Sequence, residues 1–285
     1  MTTVLEHAYA KLNLTLDVLG KRPDGYHDLQ SIMQTVSLCD EVELDIGTGK
    51  PWSIVCEEPG IPLDNRNLAW KAAEVFYKAT GIAENGLTIR IQKRIPSQAG
   101  MAGGSADAAA VLRGLNRHYG SPLSMDALAQ LGAKVGSDVP FCVIGGTVMC
   151  EGRGELMRPV SSLPECAILI CKPAFSLSTP VLFRQLDEAG IKNRPDNAAM
   201  EQALEKGDLP MVGKLLFNVF DPVVAAAYPL MDQIREMYLN AGALGCQMSG
   251  SGSAFFGIFS ERNSALLLVD KLKTVCADVF LTFPV

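Results

Sequence analysis

The chain has eight cysteines but no CxxC pair, which removes the usual spacing of a zinc ribbon or a thiol–disulfide exchange site. Most sit in apolar runs, as Cys166 and Cys171 do on either side of Ala167–Ile170, the setting of buried thiols in a reducing compartment. No block of five or more Lys and Arg occurs, and the net charge is −6, so the bulk field repels nucleic acid. Any anionic ligand must therefore be held by a local device. No apolar stretch approaches membrane-spanning length, and the amino terminus carries Glu6 with neither an apolar signal core nor an Arg/Ser-rich leader. These absences lead to the expectation of a cytoplasmic protein with no nucleic-acid or membrane partner. Internal repeats and low-complexity tracts are also missing.

What remains is an ordinary globular composition, 48% hydrophobic and 20% charged, over 285 residues, a length that favours two domains. Leu12, Leu14, Leu16 and Val18 alternate with Lys11, Asn13, Thr15 and Asp17, which predicts a strand with one buried face. A polar turn at Gly20–Gly25 leads through Tyr26-His27 to strands at Ser31–Val36 and Glu41–Ile46. Asn67–Thr80 reads as a helix stopped by Gly81, and Leu87–Lys93 as an alternating strand. A glycine loop then joins that strand to an alanine-rich helix at Ala106–Asn116, and Ser124 caps the next helix. The polar, proline-bearing stretch Arg153–Pro164 suggests a boundary, giving domains 1–157 and 158–285. Beyond it come a strand at Ala167–Cys171, helices between Asn197 and Phe217, a helix at Pro229–Leu239, strands at Cys246–Ser249 and Ala254–Phe259, a helix at Asn263–Val275 and a strand at Val279–Thr282. Strand, helix, two strands, helix, strand is the order of a ferredoxin-like α+β domain, here with a helical insertion.

Four places carry candidate chemistry. Gly100, Gly103 and Gly104 are expected to take φ > 0 and let the backbone approach a ligand, with a helix amino terminus near Ser105 offering unpaired N–H groups. The loop lacks the Gly-Lys-Ser/Thr of a Walker motif and the spacing of a dinucleotide fingerprint; a tight turn with close helix packing is the plain alternative. Asp138 precedes Pro140 and is either a helix cap or a carboxylate that takes a proton from an attacking hydroxyl. Lys11 and Asn13 are either a solvated strand face or a cation and its partner. Gly245–Ser253 is either a glycine-serine hairpin turn or a backbone that packs on a ligand or on the first glycine loop.

Their order resembles the GHMP kinases, on Ala8-Tyr9-Ala10-Lys11-Leu12-Asn13, on Pro96–Ala106 and on Met248–Ser253. Within that family, Arg22–His27 and Gly136–Pro140 are similar to members that phosphorylate the 2-hydroxyl of a cytidine-diphosphate methylerythritol in non-mevalonate isoprenoid synthesis. Two departures stand out: Ala102 where many members have glycine, and Ala106-Asp107 where many have Ser-Asn. The resemblance implies a two-domain α+β fold, with a nucleotide-binding α/β domain followed by a ferredoxin-like one, acting as an ATP-dependent kinase with Mg²⁺. It implies Asp138 as base and Lys11 as its electrostatic partner. Pro96, Gly100, Met101, Ala102, Gly103, Gly104 and Ser105 would hold ATP. Asn13, Tyr26, His27, Thr179, Pro180 and Phe183 would bind the substrate, with the base clamped between Tyr26 and Phe183 and its polar edge on His27. The expected state is a monomer or weak homodimer. Kinases of homoserine or mevalonate, a non-catalytic nucleotide module and a dinucleotide-dependent oxidoreductase are the competing readings.

Overall fold

A computed structural model describes residues 1–285. In chain order the elements begin β1 (Thr2–Asn13), β2 (Thr15–Lys21), β3 (His27–Ile46), β4 (Ser53–Val55), α1 (Leu68–Thr80), β5 (Leu87–Gln92), α2 (Gly103–His118), α3 (Met125–Gly132) and α4 (Val139–Ile144). They continue β6 (Thr147–Gly152), β7 (Leu156–Pro159), β8 (Ala167–Lys172), α5 (Thr179–Ala189), α6 (Asn197–Glu205), α7 (Leu209–Leu215) and β9 (Phe217–Asn218). The last are α8 (Asp221–Ala227), α9 (Leu230–Asn240), β10 (Gly245–Met248), β11 (Phe255–Phe259), α10 (Arg262–Leu272) and β12 (Asp278–Thr282). No helix is long and apolar enough to cross a membrane.

The chain forms two compact units. The first holds Met1–Ala10, Cys39–Ser97 and Ala102–Gly145; the second holds Lys11–Leu38, Gln98–Met101 and Gly146–Val285. Residues 157 and 158, where the sequence suggests a division, fall within β7.

In the first unit the carboxyl half of β3 pairs antiparallel with β5, from Glu41 opposite Gln92 to Ile46 opposite Leu87, and β4 lies parallel to β5. The alternation of Leu87, Ile89 and Ile91 puts all three in the core, as their period of two requires. Helix α1 is bounded as its sequence predicts: the Asn67 side chain accepts from Ala69 N, and Gly81 closes the helix at φ 67°. Buried alanines on α1 (Ala69, Ala72, Ala73) and on α2 (Ala106, Ala108, Ala109, Ala110) let the two helices pack closely. Gly114 brings α2 down onto the sheet, since a Cβ there would stand 2.7 Å from Leu44 Cδ1.

In the second unit, β10, β11, β8 and β12 form a four-stranded antiparallel sheet in that order. With α9 before β10 and α10 after β11, this is the ferredoxin-like arrangement, and α5 to α8 are the helical insertion. Its core gathers Leu169, Phe255 and Phe259 from the sheet with Tyr238, Ile234 and Leu268 from the helices. Tyr238 is wholly buried and its hydroxyl donates to Leu169 O at 3.1 Å, which offsets the cost of burying it. The amino half of β3 pairs with β2 and β6, β6 with β7, and β2 parallel with β9.

Three expectations are corrected. The two strands at Ser31–Val36 and Glu41–Ile46 are one 20-residue strand, β3. The strand expected over Leu12–Val18 is broken at Leu14 into β1 and β2. Its polar face is not solvated: Lys11, Asn13, Thr15 and Asp17 are all buried beside Leu12, Leu16 and Val18.

Gly257 of β11 faces the Tyr238 ring, and a Cβ there would come within 2.7 Å of Cε1. Gly257→Ala is expected to destabilise the protein by about 1–3 kcal/mol through overpacking. The denaturant midpoint of the purified variant measures it; a midpoint equal to that of the wild type contradicts this packing.

Candidate active site

The glycine loop is held from two sides. In the second unit Gly100 takes φ 75°, and a Cβ on it would overlap Ser249 O and stand 3.0 Å from Gly252 N. Conformation and space together demand glycine there. Ser249 Oγ donates to Gly100 O at 3.1 Å, and Ala254 N donates to Ala99 O at 3.1 Å. The late glycine-serine segment therefore packs on the first glycine loop, one of the two functions its sequence allowed. Met101 is buried, and its carbonyl accepts from Lys11 N at 3.2 Å.

In the first unit the loop runs into α2. Gly103 and Gly104 are its first two residues and do not take positive φ, contrary to the expectation; Gln98 (φ 53°) and Ala102 (φ 59°) do so instead. Gly103 is needed for packing, because a Cβ would sit 3.2 Å from Ile95 Cγ2 and 3.3 Å from Lys93 Nζ. Gly104 is exposed, and the nearest atom to a Cβ there is Leu68 Cδ1 at 3.8 Å, so no protein contact requires glycine. No side chain caps α2, which leaves its first N–H groups and the positive end of its dipole for an anion. Pro96 and Ser105 are half-buried on either side of this turn.

Beneath that helix lies a buried ionic cluster that the sequence reading missed. Lys93 Nζ donates to Asp40 and to Asp107 Oδ2, the latter at 2.7 Å. Asp40 Oδ1 also accepts from Arg94 N at 2.5 Å and Ile95 N at 2.8 Å. The cluster thus ties the end of β5 to the second turn of α2. Burial pushes the Asp107 carboxyl up to about 7, opposed by Lys93 and reinforced by the charge of Asp40. Burial alone would lower Lys93, yet the two carboxylates outweigh it and hold the ammonium charged.

Lys11 is 4% exposed, and its Nζ donates to Asn13 Oδ1 at 2.7 Å. Asn13 Nδ2 donates to Ser31 Oγ at 2.8 Å, so the amide expected at the substrate also orients the lysine head. Gln247 Nε2 donates to Asn13 O and Leu14 O, filling the break between β1 and β2. Asn218 Nδ2 donates to both Met248 O and Gly250 O at 2.8 Å. That holds Gly250 where a Cβ would stand 3.3 Å from Lys11 Nζ. Asp138 occupies the N-cap position of α4, but its side chain makes no capping bond, so the cap alternative does not account for it. In the same unit a Cβ on Gly136 would come 3.9 Å from Ser105 Oγ, which sets the Gly136–Asp138 turn beside the start of α2.

The residues expected at a base cluster in the second unit, with a different pairing. The ring stacked on Phe183 is His27, at 4.5 Å and 22°, and the edge contact is Phe220 at 4.9 Å. Tyr26 is exposed and carries the Arg153 guanidinium 3.8 Å above its ring. Thr179 Oγ1 shares a hydrogen bond of 2.7 Å with Ser251 Oγ, linking the exposed start of α5, with Pro180, to the late glycine-serine loop. Asn218 and Arg153 were missed as well, whereas Gln247 fell within the late glycine-serine segment singled out from the sequence. A lone asparagine inside Phe217–Phe220 was the available signal, since a polar group in an apolar run needs a buried partner.

Two family profiles match: "GHMP kinases N terminal domain" over residues 67–146 and "GHMP kinases C terminal" over residues 200–278. A 4-diphosphocytidyl-2-C-methyl-D-erythritol kinase of Caldicellulosiruptor saccharolyticus is 45% identical over 275 residues, covering 96% of this chain and 94% of that one. One from Clostridium kluyveri is 42% identical over 279 residues, covering 98% and 99%. A crystal structure of 4-(cytidine 5'-diphospho)-2C-methyl-D-erythritol kinase superposes with TM-score 0.82 at 29% identity, covering 98% of each chain. Homoserine kinase from Cytophaga hutchinsonii, at 19% identity and TM-score 0.78 over 99% and 95% of the chains, shares the fold.

Two outcomes follow from this geometry. Gly104→Ala should leave the unfolding midpoint unchanged and raise the KM for ATP, whereas Gly100→Ala should lower the midpoint itself; equal effects on stability would refute the distinction. Asp107 is protonated more readily in the folded chain than at its ordinary value of 3.8. The folded state therefore binds the extra proton, and Asp107 costs stability as pH rises from about 4 to about 7. Asp107→Asn should gain stability relative to the wild type across that window, read as the difference between denaturant midpoints; a constant difference from pH 4 to pH 8 would count against it.

Proposed function

Since the chain belongs to the GHMP kinase family and is an ATP-dependent small-molecule kinase, we propose that it phosphorylates the 2-hydroxyl of 4-diphosphocytidyl-2-C-methyl-D-erythritol. The observation that supports the substrate is the placing of His27 and Phe183 in one unit, ring on ring, with Tyr26 next to His27 in the chain. Homoserine and mevalonate have no base to stack. Such stacking contributes on the order of 1–3 kcal/mol per base.

In this reading the substrate hydroxyl oxygen attacks the γ-phosphorus of ATP, its proton passes to the Asp138 carboxylate, and ADP leaves. Asp138 suits the task because it is a carboxylate in the turn set beside the start of α2. Lys11, its head oriented by Asn13, supplies positive charge next to the transferring group. The uncapped turn at Gly103, Gly104 and Ser105 holds phosphate oxygens through backbone N–H groups, and Gly104 keeps the approach open. Pro96, Gly100, Met101 and Ala102 shape the loop around them. Mg²⁺ would be held through the triphosphate, with the Ser105 hydroxyl as the nearby protein oxygen, and supplies charge neutralisation there. Thr179 and Pro180 border the substrate side. The protein acts in the cytoplasm as a monomer or weak homodimer.

Release of ADP in the presence of the cytidine compound, homoserine or mevalonate tests the assignment. Turnover is expected with the first alone; equal turnover of either of the others rejects the substrate. Asp138→Asn should reduce kcat by roughly 10²–10⁴-fold, the scale of a general base, with an unchanged unfolding midpoint. A near-wild-type kcat removes Asp138 from the chemistry.

A further inference from the structure

Between β8 and α5 the chain leaves a sheet and starts a helix with no regular structure in between. Lys172 is the last residue of β8, a strand paired on one side with β11 and on the other with β12. It is 5% exposed, and its Nζ donates to Pro173 O and to Phe175 O, each at 2.8 Å. Phe175 O also accepts from Ser253 Oγ at 2.6 Å, so both lone pairs of that carbonyl are taken. Burial lowers the Lys172 ammonium from its ordinary value, opposed by the charge of Asp278. An apolar side chain of similar length would be easier to bury, but it would leave Pro173 O without this donor and Phe175 O with a single one. Further contacts fasten the same loop. The Phe175 ring stacks on Tyr228 at 4.3 Å and 13°. A Cβ on Gly252 would stand 2.7 Å from Leu177 Cδ1, and Thr179 Oγ1 shares its bond with Ser251 Oγ.

We infer that Lys172 is a positioning residue for the pyrimidine substrate: with Ser253 it holds the Phe175 carbonyl, and so sets where α5 begins and where Thr179, Pro180 and Phe183 stand. A doubly paired strand is a fixed base and a loop is not. An ammonium that reaches from the strand into the loop carries the precision of the sheet to the helix that follows. A displacement of about 1 Å can cost roughly 10²-fold in rate, even when it starts far from the chemistry. The inference rests on the substrate assignment above and adds the anchor behind that side of the site.

Two measurements on the full-length enzyme test it. The first is amide hydrogen exchange without ligand. Leu182 N donates to Ser178 O in the first turn of α5, and Gly252 N to Ser249 O in the glycine-serine turn. Both amides should exchange roughly tenfold faster in Lys172→Met and in Ser253→Ala, the scale of one hydrogen bond, while the amides of β8 keep the wild-type rate. Wild-type rates at Leu182 and Gly252, or an equal acceleration in β8, overturn the inference whatever the substrate is. The second is steady-state kinetics. Each variant should raise the KM for the cytidine compound roughly tenfold and leave the KM for ATP constant. The double variant should lose less than the product of the two single factors, because both donors act on one carbonyl. An unchanged KM for the cytidine compound in folded Lys172→Met, or in Ser253→Ala should the methionine variant not fold, overturns the inference and leaves the substrate assignment intact. Failure of the wild type to use the cytidine compound at all would instead remove the substrate assignment, and the inference with it.

Discussion

Backbone lies directly on backbone where Gly100 meets Ser249 and Gly250. At Gly100 a single methyl group would overlap a carbonyl oxygen, and at Gly250 it would stand 2.8 Å from Gly100 O. Much of the second unit's site geometry follows from that contact. It sets the late glycine-serine turn against the first glycine loop, and it places the peptide of Gly250 beside the head of Lys11. Asn218 keeps the turn in place with two bonds from one amide, and Gln247 does the same for the strand break that presents Lys11 and Asn13. The amide nitrogens of Asn218 and Gln247 are buried and find their acceptors in main-chain carbonyls. Loops held in this way are rigid without needing bulk.

Electrostatics in this chain is local rather than global. A net charge of −6 offers no general attraction to a triphosphate. The uncapped amino terminus of α2 offers a local positive end in its aligned N–H groups, and the proposed function uses it for the phosphates. Lys93 is a further cation at that helix, but two carboxylates occupy it, so its charge acts within the cluster that fastens β5 to α2. Buried ion pairs of this kind contribute more to position than to stability.

Local signals were the ones legible in the sequence. Asn67 and Gly81 bound α1 because cap and stop act within a few residues. The alternation in β5 and the strand-helix order of the second unit were readable for the same reason. Two glycines of the loop were misjudged because a glycine can serve conformation, packing or open space. At Gly100 it serves the first two, at Gly103 packing, and at Gly104 neither. Only the neighbours tell these apart, and they come from distant parts of the chain. Lys11 and Asn13 looked like a wet strand face because period two says which residues share a face and not what covers it. Asp40 gave no warning and Asp107 showed only as a departure from the family pattern, since their common partner Lys93 lies 53 residues from one and 14 from the other. The stacking of His27 on Phe183 spans the turn before β3 and a helix of the insertion, a pairing that spacing along the chain does not encode.

The chain passes between its two compact units five times, once inside β1 at Ala10–Lys11 and once inside β3 at Leu38–Cys39. Neither unit is a continuous stretch of sequence. A recombination event that brought in one unit from another gene would have to join several segments in register, two of them in mid-strand. Proteins built this way are inherited whole. Diversity among them falls most readily on the loops and the helical insertion, where point changes disturb the sheets least.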